Sequence, residues 1–206
     1  MKRIEIHPVN PQPRLIHQVA EQFQTGALVA LPTDASYVLA CHLEDRTAVD
    51  RMRQLRGIDE KHLLTLLCRD LSELSQYAQV DNRQFRFLKE WTPGAYTFIL
   101  PATREVPRRL MHPSRKTVGL RVPEAPIVQA LLAELGVPLL CASLILPGDE
   151  DPLSDPDDIE DRIGKRIDLL VDGGAGQLEA TSVIDVTGDE PVIQRVGMGP
   201  VEAMLR

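Results

Sequence analysis

Cysteine is scarce in this sequence, and long apolar runs are absent. Cys41, Cys68 and Cys141 lie far apart in apolar stretches, without a Cys-x-x-Cys pair. This spacing predicts buried, reduced thiols and gives no support to a catalytic cysteine. No apolar run approaches the roughly 20 residues of a membrane span. The N-terminus begins like a strand and lacks the apolar segment of a secretory signal. We therefore expect a cytoplasmic protein without a membrane partner.

Common signatures of phosphate and metal sites are also missing. The sequence contains no Gly-x-x-x-x-Gly-Lys loop and no Gly-x-Gly-x-x-Gly after a strand. Its five histidines form no His-x-x-x-His pair and no zinc-like cluster. We therefore expect no protein-bound structural metal.

The net charge of −7 conceals an uneven distribution. Residues 81–121 carry nine Lys or Arg against three Asp or Glu, whereas residues 149–190 carry three against fourteen. A polarised molecule can present a basic face to nucleic acid despite an acidic total. The alternative is two solvated faces that have no partner.

Strand-like and helix-like patterns alternate along the chain. Apolar runs at 27–31 and 63–68 predict buried strands. Helical spacing predicts helices at 10–26, 46–55 and 127–135, and one more that carries Phe85, Leu88 and Trp91. The predicted N-caps are Asn10, Asp45 and Asp81. Further strands are predicted at 3–6, 96–100, 117–122, 138–142, 168–171, 182–186 and 192–195. The acidic segment 147–158 is predicted to be a surface loop. Because the order is not a simple βαβ repeat, we expect one α/β domain over residues 1–206, with helices on a mixed sheet.

A polar turn follows the first buried strand. Pro32 interrupts the ladder of backbone hydrogen bonds between strands. The side chains of Thr33 and Asp34 can form hydrogen bonds with nearby backbone or with a ligand. Ligands of open α/β sheets tend to bind at strand ends. The turn is therefore a candidate binding element, and an ordinary polar turn is the alternative.

A run of cations follows on the second predicted helix. Arg51 and Arg53 do not share a helical face, so they reach one ligand only from the helix end or the following turn. Arg56 and Lys61 continue the run. Guanidinium groups can grip phosphate or carboxylate bidentately. The alternative is a solvated basic face.

Several motifs together resemble the YrdC/YciO family, which includes the threonylcarbamoyl-adenylate synthases. In chain order they are Thr33-Asp34, Arg51-x-Arg53, Pro93-Gly94-Ala-Tyr-Thr-Phe, Val118-Gly-Leu-Arg121-Val-Pro123, Ser143, Thr181-Ser182-Val-Ile-Asp185 and Arg195-Val-Gly197. The segments Ser143-Leu-Ile-Leu-Pro-Gly148 and Cys68-Arg-Asp-Leu-Ser-Glu-Leu74 look most like the YciO branch. The resemblance implies a twisted mixed sheet flanked by helices, with a concave basic surface.

The resemblance also implies chemistry and site residues. Synthases of the family join threonine, bicarbonate and ATP, bound with Mg²⁺, into threonylcarbamoyl-adenylate for tRNA modification. That reaction needs cations that hold a triphosphate in line. By resemblance, Thr33 matches the threonine that contacts the amino acid. Arg51 and Arg53 match the Lys-x-Arg pair of the family. The Lys-Pro that follows this pair in the family appears here as Lys61-His62, further downstream. The residues matched to the nucleotide side are Arg121, Ser143, Ser182 and Arg195.

Four positions depart from the family pattern. Ala35 lacks a hydroxyl, Val38 replaces a glycine, and Arg51 replaces a lysine. Ile145 replaces the asparagine of a Ser-x-Asn motif and so removes an amide. We therefore expect a nucleotide-binding protein with weak or divergent synthase activity. The alternative is a non-catalytic RNA-binding module of the same fold.

A short basic segment is the candidate RNA surface. Its cations are Arg104, Arg108, Arg109, Arg115 and Lys116, with Glu105 the only acid among them. Such a cluster predicts salt-dependent binding of double-stranded RNA, or of tRNA, through phosphates. No aromatic stripe interleaves the charges, which argues against stacking of single strands. A solvated face remains the alternative.

Overall fold

Ten strands and six α-helices form the chain, and the computed structural model describes residues 1–206. The strands are β1 Lys2–Glu5, β2 Val29–Leu31, β3 Val38–His42, β4 Thr65–Leu67, β5 Tyr96–Pro101, β6 Thr117–Arg121, β7 Leu139–Ser143, β8 Leu169–Asp172, β9 Ser182–Asp185 and β10 Val192–Arg195. The helices are α1 Pro13–Gln24, α2 Arg46–Arg56, α3 Leu71–Tyr77, α4 Asn82–Trp91, α5 Pro126–Leu135 and α6 Pro156–Ile163. None of these helices combines the length and the apolarity that a bilayer crossing requires.

All ten strands belong to one sheet, in the order β1-β8-β2-β3-β7-β4-β6-β5-β9-β10. Four pairs are parallel: β1 with β8, β2 with β8, β4 with β6, and β5 with β9. The other five are antiparallel. The predicted α/β fold with a mixed sheet is therefore confirmed.

Helices pack on both faces of the sheet. Helices α1 and α5 bury Phe23 and Leu131 against one face, beneath strands β1, β2 and β8. On the other face, α2, α4 and α6 contribute Met52, Leu88 and Ile159 to the larger core cluster. The continuous apolar runs of β2 and β7 follow from this arrangement, because both faces of the central strands are covered.

Local capping fixes the helix that leads to the site. The Asp45 carboxylate accepts the Ala48 N–H at 2.9 Å and starts α2. Gly57 ends the helix at φ +64°, in the left-handed region that glycine enters without strain. The predicted cap at Asp81 is also present, as a capping box with Gln84.

The observed boundaries depart from the predicted ones at several places. Helix α1 begins at Pro13, with Gln12 as its N-cap, and not at Asn10–Pro11. Strand β3 and helices α3 and α6 were not predicted. Part of the predicted loop 147–158 is helical, because Asp155 accepts the Asp157 N–H and starts α6 at Pro156.

Candidate anion-binding cavity

A cavity of about 390 Å³ opens over strands β3 to β7, β9 and β10. Five cationic side chains line it, and no Asp or Glu does. The cations are Arg56, Lys61, Arg115, Arg121 and Arg195. Concentrated positive charge without a lining acid makes the cavity a candidate site for an anion.

The floor of the cavity is formed by small and hydroxyl side chains. A Cβ at Gly119 would lie 2.8 Å from Thr65 Oγ1 and 3.2 Å from Thr97 Cγ2, so glycine there keeps the floor open. The Thr97 and Thr181 hydroxyls are 2.7 Å apart and hydrogen bond to each other. They place polar atoms below the arginines.

Arg121 joins the cavity to the turn after β2. Its residue is 3% exposed, and its guanidinium donates to Thr33 Oγ1 at 2.8 Å and to the Asp34 carboxylate. The other oxygen of Asp34 accepts the Glu124 N–H at 2.9 Å. Asp34 therefore neutralises Arg121 within the protein, although the Arg121 Nε is buried without a partner.

Arg56 and Arg195 have no such carboxylate. Arg56 donates to the Ser143 carbonyl oxygen, and its Nε is buried without a partner. Arg195 Nε donates to the Thr181 carbonyl oxygen at 3.0 Å. Burial, followed by the charge of Arg195, lowers the pKa of Arg56 from its usual value. Burial and then Arg121 lower the pKa of Arg195. Arg195 thus lies close enough to Arg56 and to Arg121 for charge repulsion, which a bound anion would relieve.

The segment after α2 carries Lys61 and His62 to the mouth of the cavity. The His62 side chain is exposed at the cavity mouth. Partial burial of its ring is nevertheless the largest cause that lowers its pKa. The neighbouring charges of Arg56, Arg53 and Arg195 lower it further, and Asp59 opposes them. The lowered pKa favours the neutral form of His62, and a bound anion would favour its protonation.

Four of the eight residues assigned to the nucleotide or substrate come together at this cavity: Lys61, Arg121, Ser143 and Arg195. Thr33 borders a neighbouring pocket, and its hydroxyl is fully used. It donates to the Ser36 carbonyl oxygen and accepts from the Ala35 N–H and from Arg121.

Ser182 is fully buried below the lining. Its hydroxyl donates to the Gly199 carbonyl oxygen at 2.6 Å and accepts the Gly197 N–H at 2.8 Å. Ser182 therefore fastens the loop after β10, and its neighbour Thr181 supplies the hydroxyl that faces the cavity.

Arg51 and Arg53 do not line the cavity. Arg51 forms an ion pair with Asp168 at 2.7 Å, and Arg53 donates to the Asp59 carbonyl oxygen at 2.6 Å. The arginine of α2 that reaches the cavity is Arg56, in the last turn of the helix. The basic run thus supplies one guanidinium to the cavity, from a position three residues beyond the assigned pair.

The five cations of the predicted RNA surface separate into three environments. Arg104, Arg108 and Lys116 surround a shallow depression and are exposed. Arg115 lies at the cavity. Arg109 is folded inward, donating to the Leu43 carbonyl oxygen at 3.0 Å.

Thr97, His62 and His112 are among the polar residues of the cavity that sequence reasoning did not assign. His112 Nδ1 accepts the N–H groups of Ser114 and Arg115, which leaves its Nε2 as an N–H donor. Strand alternation could have found Thr97, because Thr97 and Ile99 both line the cavity two residues apart. No local signal distinguishes these two histidines from the histidines outside the cavity.

The fold and the cavity together define an α/β protein with a mixed sheet and a cavity lined by cationic side chains. A family model of the Sua5, YciO and YrdC proteins, described as telomere recombination, matches residues 21–197. The chain is 52% identical to Escherichia coli YciO over 200 residues, which are 97% of each protein. The crystal structure of E. coli YciO matches with a TM-score of 0.96, covering 99% of this chain and 100% of that one. The protein therefore belongs to the Sua5/YciO/YrdC family, as the resemblance indicated.

More distant relatives include threonylcarbamoyl-AMP synthases. The chain is 27% identical to that of Vibrio vulnificus over 184 residues, 87% of this chain and 97% of the synthase. The crystal structure of P. abyssi Sua5 complexed with L-threonine matches with a TM-score of 0.90 at 25% identity. That match covers 99% of this chain and 60% of Sua5. The chain is thus related to the threonylcarbamoyl-AMP synthases of tRNA modification over most of its length.

Proposed function

We propose that the cavity binds a nucleoside triphosphate through its phosphate groups. The observation that supports this most is the cluster of Arg56, Arg121 and Arg195, of which only Arg121 is neutralised by a carboxylate. Guanidinium groups donate to phosphate oxygens in bidentate geometry. Bound phosphates would supply the negative charge that this cluster lacks.

ATP with Mg²⁺ is the ligand we propose, in line with the family. Because no carboxylate lines the cavity, Mg²⁺ would enter on the phosphates of the nucleotide and would not need a ligand from the protein. Lys61 and Arg115 extend the positive lining beyond the three arginines. The cavity thus offers cations enough for a chain of phosphates.

A weak or divergent threonylcarbamoyl-adenylate synthase activity is the reaction we propose for this site. The bound L-threonine of P. abyssi Sua5 supports an amino acid as the second substrate. Val38 and Ile145 both line the cavity, where the family pattern has a glycine and an amide. An aliphatic wall cannot replace the hydrogen bonds of an amide, so a substrate group there would stay unpaired.

Pyrophosphate release from ATP, threonine and bicarbonate tests the reaction. We expect slow release by the wild type, and less by an Arg195→Met variant, because the variant loses one of the cavity cations that would stabilise the leaving pyrophosphate. If neither the wild type nor any variant releases pyrophosphate, the proposed synthase reaction is wrong. Nucleotide binding is measured separately and does not depend on that outcome.

Substitution of Ile145 tests the cause of the weak activity. Ile145→Asn restores an amide at the cavity wall and should raise turnover by roughly 5- to 150-fold, since an unpaired polar group costs about 1–3 kcal/mol. Ile145→Leu is the matched control and should leave turnover low. If the wild type already turns over like an authentic synthase, Ile145 is not an impairment.

A second proposal is that double-stranded RNA binds beside the cavity. The exposed cations Arg104, Arg108 and Lys116 support it, since they surround one depression that no acid lines. Arg115 continues the positive surface to the cavity mouth. Phosphate contacts of this kind are weakly sequence-specific and weaken steeply as salt rises.

A gel-shift series with duplex RNA at rising salt tests this second proposal. Replacing Arg104, Arg108 and Lys116 by alanine should abolish the shift at low salt. Arg109→Ala is the matched control, because its guanidinium bonds to the Leu43 carbonyl oxygen and faces inward. If the gel shift is absent at low salt, or unchanged in the triple variant, these cations form a solvated face without an RNA partner.

A further inference from the structure

The segment that joins α2 to β4 forms part of the cavity wall. Lys61, His62 and Leu63 all line the cavity from this segment, although Lys61 and His62 are themselves exposed. A short exposed segment holds two ligand-binding side chains in place only if its backbone is fixed. Hydrogen bonds to the backbone of residues 57–63 are therefore needed to fix the directions of these side chains.

Asp59 organises the segment from within. Its carboxylate accepts the Lys61 N–H at 2.9 Å and the His62 N–H at 3.3 Å. The Asp59 carbonyl oxygen also accepts the His62 N–H at 3.2 Å. These bonds form a local turn that determines where the next two side chains point.

Arg53 ties this turn to the body of the protein. Its guanidinium donates to the Asp59 carbonyl oxygen at 2.6 Å, across the end of α2. Arg53 lies three residues before Arg56, so both side chains leave the same face of the helix. Burial is the largest cause and lowers the pKa of Arg53, whereas Asp50, Glu60 and Asp59 raise it. These acids do not line the cavity, and the hydrogen bond of Arg53 is directed to the segment.

We propose that Arg53 is a positioning residue, which holds the Asp59 turn so that Lys61 and His62 face the bound phosphates. This inference rests on the proposed function of the cavity. It separates two roles within α2: Arg56 contacts the anion, and Arg53 acts on the anion only through Lys61 and His62.

A double-mutant cycle tests the indirect role. Calorimetry would measure the binding of Mg-ATP and of inorganic tripolyphosphate to the full chain. Arg53→Ala should weaken both by roughly 3- to 10-fold, the range of one hydrogen bond. In a Lys61→Ala/His62→Ala background the same change should have no further effect. Equal losses in both backgrounds would show that Arg53 does not act through the segment, and would overturn the proposal.

Hydrogen exchange without ligand keeps the test independent of the proposed function. The amides of Lys61 and His62 should exchange roughly 3- to 10-fold faster in Arg53→Ala, because the Asp59 turn opens more often. Arg46→Ala, at the exposed start of the same helix, is the matched control and should leave them unchanged. Unchanged exchange in Arg53→Ala overturns the positioning role. Failure of the wild type to bind either polyphosphate overturns the proposed function instead.

Discussion

Replacing Arg56 by methionine separates a binding residue from a structural one. Methionine keeps most of the aliphatic stem and removes the guanidinium group. A charged hydrogen bond to phosphate contributes about 1.5–3 kcal/mol, so Mg-ATP binding should weaken by roughly 10- to 150-fold. The Ser143 carbonyl oxygen that loses Arg56 keeps its bond from the Ile145 N–H at 2.9 Å. The loss should therefore fall on the ligand and not on the fold.

Thermal stability without ligand provides the second half of this prediction. Removing Arg56 ends its repulsion with Arg195, and this offsets the lost hydrogen bond. We expect the unliganded Tm to stay within about 4 °C of the wild type, since 1 kcal/mol corresponds to roughly 2–4 °C at this chain length. Differential scanning fluorimetry with and without Mg-ATP measures both effects, with Arg46→Met as the control. An unchanged Kd together with a large fall in Tm would refute a binding role for Arg56.

Three further predictions concern neighbouring groups. Asp34→Ala leaves Arg121 buried without its carboxylate, so it should lower the free energy of unfolding by about 3–5 kcal/mol in a denaturant titration. A loss of stability below about 1 kcal/mol would contradict the importance of this ion pair. Arg51→Ala breaks a partly exposed ion pair with Asp168, so it should lower the free energy of unfolding by at most about 1 kcal/mol and leave the Kd for Mg-ATP unchanged. Weaker binding of Mg-ATP by this variant would show that Arg51 contributes to the site. Because the pKa of His62 is lowered in the empty cavity and a bound anion raises it, binding should take up a proton and tighten as pH falls through the bound-state pKa. Calorimetry in two buffers of different ionisation heat measures that proton, and an identical uptake in His62→Gln would contradict its assignment.

Much of the fold was predictable because its signals are local. The apolar run of β2 and the caps at Asp45 and Asp81 were recognised from a few consecutive residues. Strand β3 was missed because it follows β2 after only a short polar turn, and its strand character comes from pairing with β2 and β7. Helix α3 is seven residues long, too short for a periodic pattern to stand out.

The site was less predictable, because single-residue differences decide which side chain faces the cavity. Sequence resemblance favoured Arg51 and Arg53, whereas the end of α2 at Gly57 places Arg56 at the cavity. In the same way it favoured Ser182, whereas alternation at β9 turns Thr181 toward the cavity and Ser182 into the core. These choices depend on tertiary packing, and neither composition nor motif order contains them.

A calorimetric titration of the wild-type chain with Mg-ATP tests the central claim most directly. An arginine cavity that binds phosphates predicts saturable 1:1 binding with a Kd between about 1 µM and 1 mM, corresponding to about 8 to 4 kcal/mol. The affinity should fall as salt is added, because the lining charges are screened. No saturable heat at ATP concentrations well above that range would contradict the claim that this cavity is a nucleotide site.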